Sequence, residues 1–221
     1  MASDHTQKAA FLGGEGDRWF ERNVAHLSHG KRDVVVEAIA ALHLKPKAFL
    51  EIGAANGHRV AALAKSLGAR GCGVEPSAQA VADGRKANPD IDLRVGAADE
   101  LPFETGAFDL VILGFCMYLV DPALHLRAVA EADRVLADGG TLIVFDFVAA
   151  QPYFNDYAHL PGLRAHKMEF SKLFTAHPAY TLVHRQLDQK SEKFLDADWR
   201  EGVDVLVKNM GAAFPPNPHR R

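Results

Sequence analysis

The sequence predicts an α/β fold built on a doubly wound, mostly parallel sheet. A short apolar run that ends in Glu51 is followed by a Gly53-x-x-x-Gly57 turn and then by apolar residues at helical spacing from 60 to 67. A second strand-like run, residues 71–74, also ends in an acid, Glu75. Strand-like and helical runs keep alternating as far as residue 147, which is the order that successive βαβ units produce.

Length and composition point to a single globular domain. The chain has 221 residues, of which 48% are hydrophobic and 24% are charged, and these values are ordinary for a globular protein. The net charge of −3 favours no nucleic-acid partner. The longest apolar run, residues 110–120, is shorter than the roughly 20 residues that cross a bilayer, so we expect no membrane contact.

The cysteines and the N-terminus indicate the compartment. Cys72 and Cys116 lie within apolar runs, so we expect two buried, reduced thiols. The first residues contain no long apolar core, so we expect no signal peptide. Together these features predict a cytoplasmic protein. The sequence predicts no oligomeric state.

The turn from Gly53 to Gly57 is a candidate ligand-binding loop. Glycine permits a positive φ and a close approach of the backbone to a ligand, and the helix that follows directs free N–H groups at it. A dinucleotide fingerprint, G-x-G-x-x-G, would need a glycine where Ala55 stands. The pattern acid-x-Gly-x-x-x-Gly from Glu51 resembles motif I of the class I S-adenosylmethionine (SAM) methyltransferases, usually acid-x-Gly-x-Gly-x-Gly. An ordinary βα turn remains the alternative.

Glu75 strengthens the resemblance. It lies 18 residues after Gly57 at the end of the second strand. An acid about 20 residues beyond such a turn binds the ribose hydroxyls of an adenosine ligand, and its carboxylate can accept a hydrogen bond from each. We therefore expect Glu75 and the adjacent Pro76 to contact the ribose.

Two further segments resemble later family motifs. Residues 96–103 resemble a motif whose aspartate accepts from the adenine amine, but Ala97 stands in the aspartate's place. Either Asp99 replaces it, or the backbone at Ala98 carries the contact and Asp99 caps a turn. Residues 107–115 resemble the strand that ends beside the transferred methyl group, which places Gly114 and Phe115 at the site. With residues 134–142, the resemblance covers about residues 47–148.

The N-terminal region predicts two helices, the first capped by Asp17 and the second over residues 32–44. Residues 14–23 resemble the leader of a group of bacterial methyltransferases. We predict that residues 13–29 form a lid over the methyl end of SAM, in which Trp19 covers the cofactor and Arg22 or Asn23 faces its carboxylate or the acceptor. A helix packed permanently on the sheet is the alternative.

The remaining elements follow from local patterns. Asp121 and Pro122 predict the start of a helix that runs to residue 136, and residues 141–147 predict the fifth strand. A long connection follows at residues 151–164. Residues 170–174 favour a short helix, and residues 180–187 and 203–207 favour an antiparallel strand pair.

The resemblance implies a Rossmann-like doubly wound sheet of seven strands in the order 3-2-1-4-5-7-6, with strand 7 antiparallel, helices on both faces and an N-terminal helical lid. We expect one domain that comprises a helical cap (1–45), a SAM-binding core (46–148), a substrate-side segment with the closing strands (149–210) and a loose tail (211–221). The expected activity is methyl transfer from SAM to a small-molecule acceptor. The alternatives are an NAD(P)-dependent oxidoreductase and a SAM-binding module without transferase activity.

The resemblance implies two sets of site residues. The cofactor set is Trp19, Arg22, Glu51, Gly53, Ala54, Ala55, Asn56, Gly57, Glu75, Pro76, Ala98, Asp99, Gly114 and Phe115. The acceptor set is Asn23, His26, Tyr118 and Tyr157. The eleven histidines, His26, His29 and His166 among them, offer candidate bases, but no pattern singles one out. No close-spaced ligand set predicts a metal.

Overall fold

The computed structural model of the chain describes residues 6–27, 33–188, 196–217 and 219. The last two residues of the predicted lid, 28 and 29, lie outside the described residues, and with them the candidate His29.

The strands and helices follow in chain order. The strands are β1 (Ala48–Ile52), β2 (Arg70–Glu75), β3 (Asp92–Val95), β4 (Phe108–Gly114), β5 (Leu136–Phe147), β6 (Tyr153–Asp156), β7 (Arg164–Lys167), β8 (Tyr180–Leu187) and β9 (Glu201–Lys208). The helices are α1 (Thr6–Ala10), α2 (Gly16–Asn23), α3 (Val34–Ala41), α4 (His58–Leu67), α5 (Ala78–Ala87), α6 (His125–Val135), α7 (Lys172–Thr175) and α8 (Met210–Ala213).

Seven strands form one sheet in the order β3-β2-β1-β4-β5-β9-β8. Strands β1 to β5 pair in parallel, whereas β9 runs antiparallel to both β5 and β8. Counted along the chain within this sheet, the order is 3-2-1-4-5-7-6 with the last strand antiparallel, so the predicted fold is confirmed.

Helices cover both faces of the sheet because its central strands are apolar on both sides. Phe49 and Ile112 face one layer, which includes α3, α4 and α5, while Leu50 and Val111 face the other, which includes α6 and α7. All four of these side chains are completely buried. This burial on two faces is typical of a parallel sheet and leaves the carboxyl ends of the strands as the place where a ligand can bind.

The prediction that Asp17 caps the first helix is wrong. The helical segment begins at Thr6, passes through a wider turn at Phe11–Glu15, where Gly14 has a φ of 121°, and continues as α2. Asp17 therefore lies inside the helix. Its Oδ1 accepts hydrogen bonds from the Ser77 hydroxyl at 2.6 Å and the Gln79 N–H at 3.0 Å, so it ties α2 to the start of α5.

Asp121 also caps a different helix from the predicted one. The residues after it form a short 3₁₀ turn, Pro122–Leu124, whose N–H groups donate no hydrogen bond to the Asp121 side chain, and α6 begins at His125. The carboxylate instead accepts the N–H groups of Gln7 at 3.2 Å and Lys8 at 2.9 Å, in the first turn of α1. The N-terminal helix is thus capped by a residue more than 100 positions away.

Three other segments differ in detail from the predictions. Part of the long connection forms the antiparallel pair of β6 and β7. The second helix is shorter than predicted, and Asp33 caps it by accepting the N–H groups of Val35 and Val36. The expected loose tail begins with α8, in which Ala213 is buried in the core while Gly211 and Ala212 are exposed.

Candidate functional site

A cavity of about 420 Å³ lies at the carboxyl ends of the parallel strands. Its floor consists of the turn after β1, Glu75 and Pro76 at the end of β2, residues 96–99 after β3 and residues 114–116 at the end of β4. The segment that contains α1 and α2 lies across it. The wall residues from this segment are Gln7, Lys8, Phe11, Leu12, Gly16, Trp19, Asn23, His26 and Leu27.

The turn after β1 is shaped by its backbone. Gly53 has a φ of 80°, and a Cβ there would lie 2.6 Å from the Cβ of Cys116, so no larger residue fits. The N–H groups of Gly53 and Ala54 both donate to the Val74 carbonyl, which fastens the turn to β2. Ala55 also has a positive φ, 47°, in the left-handed region that favours glycine.

Glu75 is the acid that the turn faces. Its side chain is buried, its Oε2 accepts the Ala55 N–H at 2.9 Å and its Oε1 accepts the Ser77 N–H at 3.1 Å. Burial raises the pKa of this carboxyl to about 7, although the two N–H donors oppose the shift. Each carboxylate oxygen keeps a further lone pair for a ligand hydroxyl.

Glu51 is the second buried acid on the cavity wall. Its Oε1 accepts a hydrogen bond of 2.5 Å from Nη1 of Arg59, while its Oε2 is buried without a hydrogen-bond partner among the described residues. Burial raises the pKa of Glu51 to about 7, and the Arg59 charge opposes the shift. An orphaned carboxylate oxygen in a cavity suits a ligand donor such as an ammonium group.

Asp99 lies at another part of the wall, near the loop after β3. It is buried, and its Oδ2 forms an ion pair of 2.7 Å with Nζ of Lys8 from α1. Ala98 and Pro76 line the cavity nearby. This pairing links the loop after β3 to the N-terminal segment.

The loop after β4 packs an aromatic cluster behind the cavity. Phe115, whose φ is 60°, contacts the rings of Tyr118, Phe145 and Phe147 at centroid distances of 4.9–5.1 Å. Asp146, which the sequence did not indicate, accepts the N–H groups of residues 117, 118 and 147 and so fixes this loop. Burial raises the pKa of Asp146 to about 7, although these N–H groups oppose the shift.

Five predicted site residues do not reach the cavity wall. Among them, Asn56 donates from its side chain to Asp83, and a Cβ at Gly57 would lie 2.8 Å from the side chains of Ile91 and Leu93. Gly57 has a φ of 68°, in the left-handed region that favours glycine. The other predicted residues all line the cavity: Trp19, Asn23, His26, Glu51, Gly53, Ala54, Ala55, Glu75, Pro76, Ala98, Asp99, Gly114 and Phe115.

The remaining three, Arg22, Tyr157 and Tyr118, have partners elsewhere. The Arg22 guanidinium donates to Oε1 of buried Glu15 at 2.6 Å and to the Tyr157 hydroxyl at 2.9 Å, and that hydroxyl donates to Glu15. Tyr118 is buried against Phe115. Burial raises the pKa of its hydroxyl, and a hydrogen bond with the Trp19 side chain opposes the shift.

Among the wall residues that the sequence predictions missed are His58 and Arg59. The sequence does contain a signal for Arg59. It lies in the first turn of α4, where a cation is unfavourable because the helix dipole is positive there, so a charged partner or ligand is needed to explain it.

In the described part of the chain, no three His, Cys, Asp or Glu side chains are grouped to hold a metal. Within the same residues, no helix is both long and apolar enough to span a bilayer.

Comparisons with known proteins agree with this geometry. A family described as "Methyltransferase domain" matches residues 50–144. A demethylmenaquinone methyltransferase of Beutenbergia cavernae is 35% identical over 72% of this chain and 68% of its own length. Other curated relatives are matched over less than half of their own length.

Solved structures share the fold at low sequence identity. A 1,6-didemethyltoxoflavin-N1-methyltransferase from Burkholderia thailandensis, solved with 1,6-didemethyltoxoflavin and S-adenosylhomocysteine, has a TM-score of 0.70 at 18% identity, covering 91% of this chain and 87% of that one. The [4+2]-cyclase SpnF has a TM-score of 0.68 at 16% identity, covering 94% and 97%. The strand order, the acids Glu51 and Glu75 at the strand ends, the matching family and the curated relative together identify the chain as a member of the class I SAM-dependent methyltransferase family.

Proposed function

We propose that the chain transfers the methyl group of SAM to a small organic acceptor and releases S-adenosylhomocysteine. The observation that carries this proposal is the covered cavity: about 420 Å³ of space lies between the strand ends and the N-terminal segment. A cavity of this size is typical of a small-molecule site. Two of the similar proteins, by their names, act on small molecules, demethylmenaquinone and 1,6-didemethyltoxoflavin.

The residues on the wall have the chemistry that SAM requires. We assign the ribose hydroxyls to Glu75, the amino-acid end to Glu51 and the turn after β1, and the adenine to the wall around Ala98 and Asp99. The bound cofactor supplies a methyl group already activated on a positively charged sulfur. The protein's part is therefore to hold the two reactants in line and to exclude water.

Water exclusion is the role we assign to the aromatic and apolar wall. Phe115 and Phe145 close the side of the cavity beside β4 and β5, and Leu12 and Trp19 cover it from the N-terminal segment. Asn23 and His26 lie on the same wall and are available to orient an acceptor. A general base is needed only when the acceptor arrives protonated, so we assign none.

A transfer assay tests the proposal. The purified protein is mixed with methyl-labelled SAM and, separately, with the small-molecule, protein and nucleic-acid fractions of a cell extract. We expect labelled products, separated from SAM itself, in the small-molecule fraction alone. Label in a polymer fraction would contradict a small acceptor. SAM binding without label in any fraction would favour a binding module without transferase activity.

A further inference from the structure

Arg59 occupies a place that helix stability does not explain. It is the second residue of α4, next to the positive end of the helix dipole, where a cation is unfavourable. Its side chain is nevertheless only 13% exposed. Two carboxylates hold it there: Nε donates to Oδ2 of Asp33 at 2.7 Å, and Nη1 donates to Oε1 of Glu51 at 2.5 Å.

These contacts leave the guanidinium at the cavity wall. A guanidinium has five N–H donors. One of them donates to Asp33 and one to Glu51, so three remain. Its Cζ lies 5.7 Å from the centre of the Phe145 ring. Arg59, Glu51 and Phe145 all line the cavity, so the two acids fix the plane of a guanidinium whose side chain forms part of the cavity wall.

The neighbouring oxygen completes a pattern. Oε2 of Glu51 is buried without a partner among the described residues. A fixed guanidinium beside an orphaned carboxylate oxygen is complementary to an α-amino acid, because the guanidinium can bind a carboxylate and the oxygen can accept from an ammonium. SAM ends in an α-amino acid, which carries no net charge into the site.

The other candidate cations are engaged elsewhere. Arg22, which with Asn23 was predicted to face the SAM carboxylate or the acceptor, donates instead to Glu15 and Tyr157 and is not on the cavity wall. Lys8 lines the cavity beside Asp99, its partner near the loop after β3, whereas Arg59 is the cation paired with Glu51. Of the arginines in the described ranges, Arg59 is the one on the wall.

We propose that Arg59 binds the carboxylate of SAM, while Asp33 and Glu51 hold its guanidinium in place. The assignment concerns cofactor binding and does not depend on the acceptor or on transfer.

Three ligands separate a direct contact from an indirect one. SAM has the carboxylate and the ammonium, decarboxylated SAM has the ammonium alone, and 5′-methylthioadenosine has neither. Dissociation constants are measured by calorimetry at pH 7.5 for each ligand. The informative quantity is the affinity for SAM divided by the affinity for decarboxylated SAM. Effects of a substitution on folding, on Glu51 or on the adenosine site change both affinities and cancel in this ratio, so the ratio reports the carboxylate alone.

We expect Arg59→Met to lower this ratio at least tenfold and to leave 5′-methylthioadenosine binding within twofold. Arg59→Lys keeps a charge beside both acids and should lower the ratio less, by a few-fold. Arg22→Met is the matched control and should leave the ratio unchanged. If the methionine variant does not fold, the lysine variant decides. An unchanged ratio in the folded Arg59 variants, or a reduced ratio in Arg22→Met, would overturn the proposal.

Discussion

The backbone N–H of Ala55 donates a hydrogen bond of 2.9 Å to Oε2 of Glu75. This bond joins the turn after β1 directly to the acid at the end of β2. Because Ser77 donates to the other carboxylate oxygen, the plane of the Glu75 carboxylate is fixed on both sides. Such preorganisation lowers the entropic cost of binding a ligand to this acid.

Replacing Glu75 by glutamine should weaken SAM binding by about 1.5–3 kcal/mol, the usual scale for hydrogen bonds to a charged group. The amide keeps the size of the side chain but loses the charge and one acceptor oxygen. Calorimetry measures the change, and Glu100→Gln, at an exposed position, is the control. Unchanged affinity in a variant with native-like melting would remove Glu75 from the cofactor site.

SAM affinity should also depend on pH through Glu75. Burial raises the pKa of this carboxyl to about 7, and ribose hydroxyls donate to its ionised form. Below pH 7 the proton must leave before SAM binds, so affinity should be full at pH 8 and about tenfold weaker at pH 6.

Calorimetric titrations of the wild type and of Glu75→Gln from pH 6 to pH 8 show whether SAM affinity rises with pH and whether Glu75 is the group responsible. The variant should give a flatter profile. Glu51, whose pKa burial also raises to about 7, should supply part of the remaining slope, which Glu51→Gln identifies. A wild-type affinity that rises as the pH falls from 8 to 6 would contradict the assignment.

The sheet could be predicted from the sequence because each strand and turn has a local pattern. The run into Glu51 and the glycine at 53 depend on residues close in sequence, and the resemblance to a known family supplied the strand order. The partners of Asp17, Arg22 and Asp121 could not be predicted, because they lie 60, 135 and 114 positions away, at Ser77, Tyr157 and Gln7. Local patterns assign an acid before a helix to that helix, whereas in the folded chain Asp17 and Asp121 contact other elements.

Removing the Asp121 carboxylate should loosen the N-terminal helix. Asp121→Ala leaves the N–H groups of Gln7 and Lys8 without their cap, and the loss of a capping side chain typically costs about 0.5–2 kcal/mol. Thermal or denaturant unfolding measures the loss, and limited proteolysis should cut the N-terminal segment faster. Asp90→Ala, at an exposed site, is the control. Equal stability of the two variants would show that the cap contributes nothing.

Ala55→Gly should leave the protein as stable as the wild type or up to about 1 kcal/mol more stable. A left-handed φ costs a non-glycine residue about 1–2 kcal/mol, whereas glycine costs about 0.5–1 kcal/mol through the unfolded chain. SAM affinity should persist, because the N–H that donates to Glu75 remains. Ala54→Gly, at a buried position without a positive φ, should instead destabilise the fold. Destabilisation by both changes would show that the Ala55 methyl group is needed for packing.

Residues 13–29 were predicted to form a lid, and the structure describes this segment as far as residue 27. Trp19 lies on the cavity wall and Gly14 provides a bend at a φ of 121°. Contacts of Glu15 with Tyr157 and of Asp17 with Ser77 hold the same segment against the body of the protein. A lid that opens must break these contacts, whereas a permanently packed helix never does.

Hydrogen exchange with and without SAM distinguishes these two possibilities. We expect residues 13–27 to exchange more slowly when SAM is bound, because the cofactor adds contacts to the closed state alone. Trp19→Ala should weaken SAM binding severalfold, whereas Trp199→Ala, which removes a half-exposed tryptophan away from the cavity wall, should not. Equal protection in both states, together with an unchanged affinity in Trp19→Ala, would establish the segment as a fixed part of the fold that does not cover the cofactor.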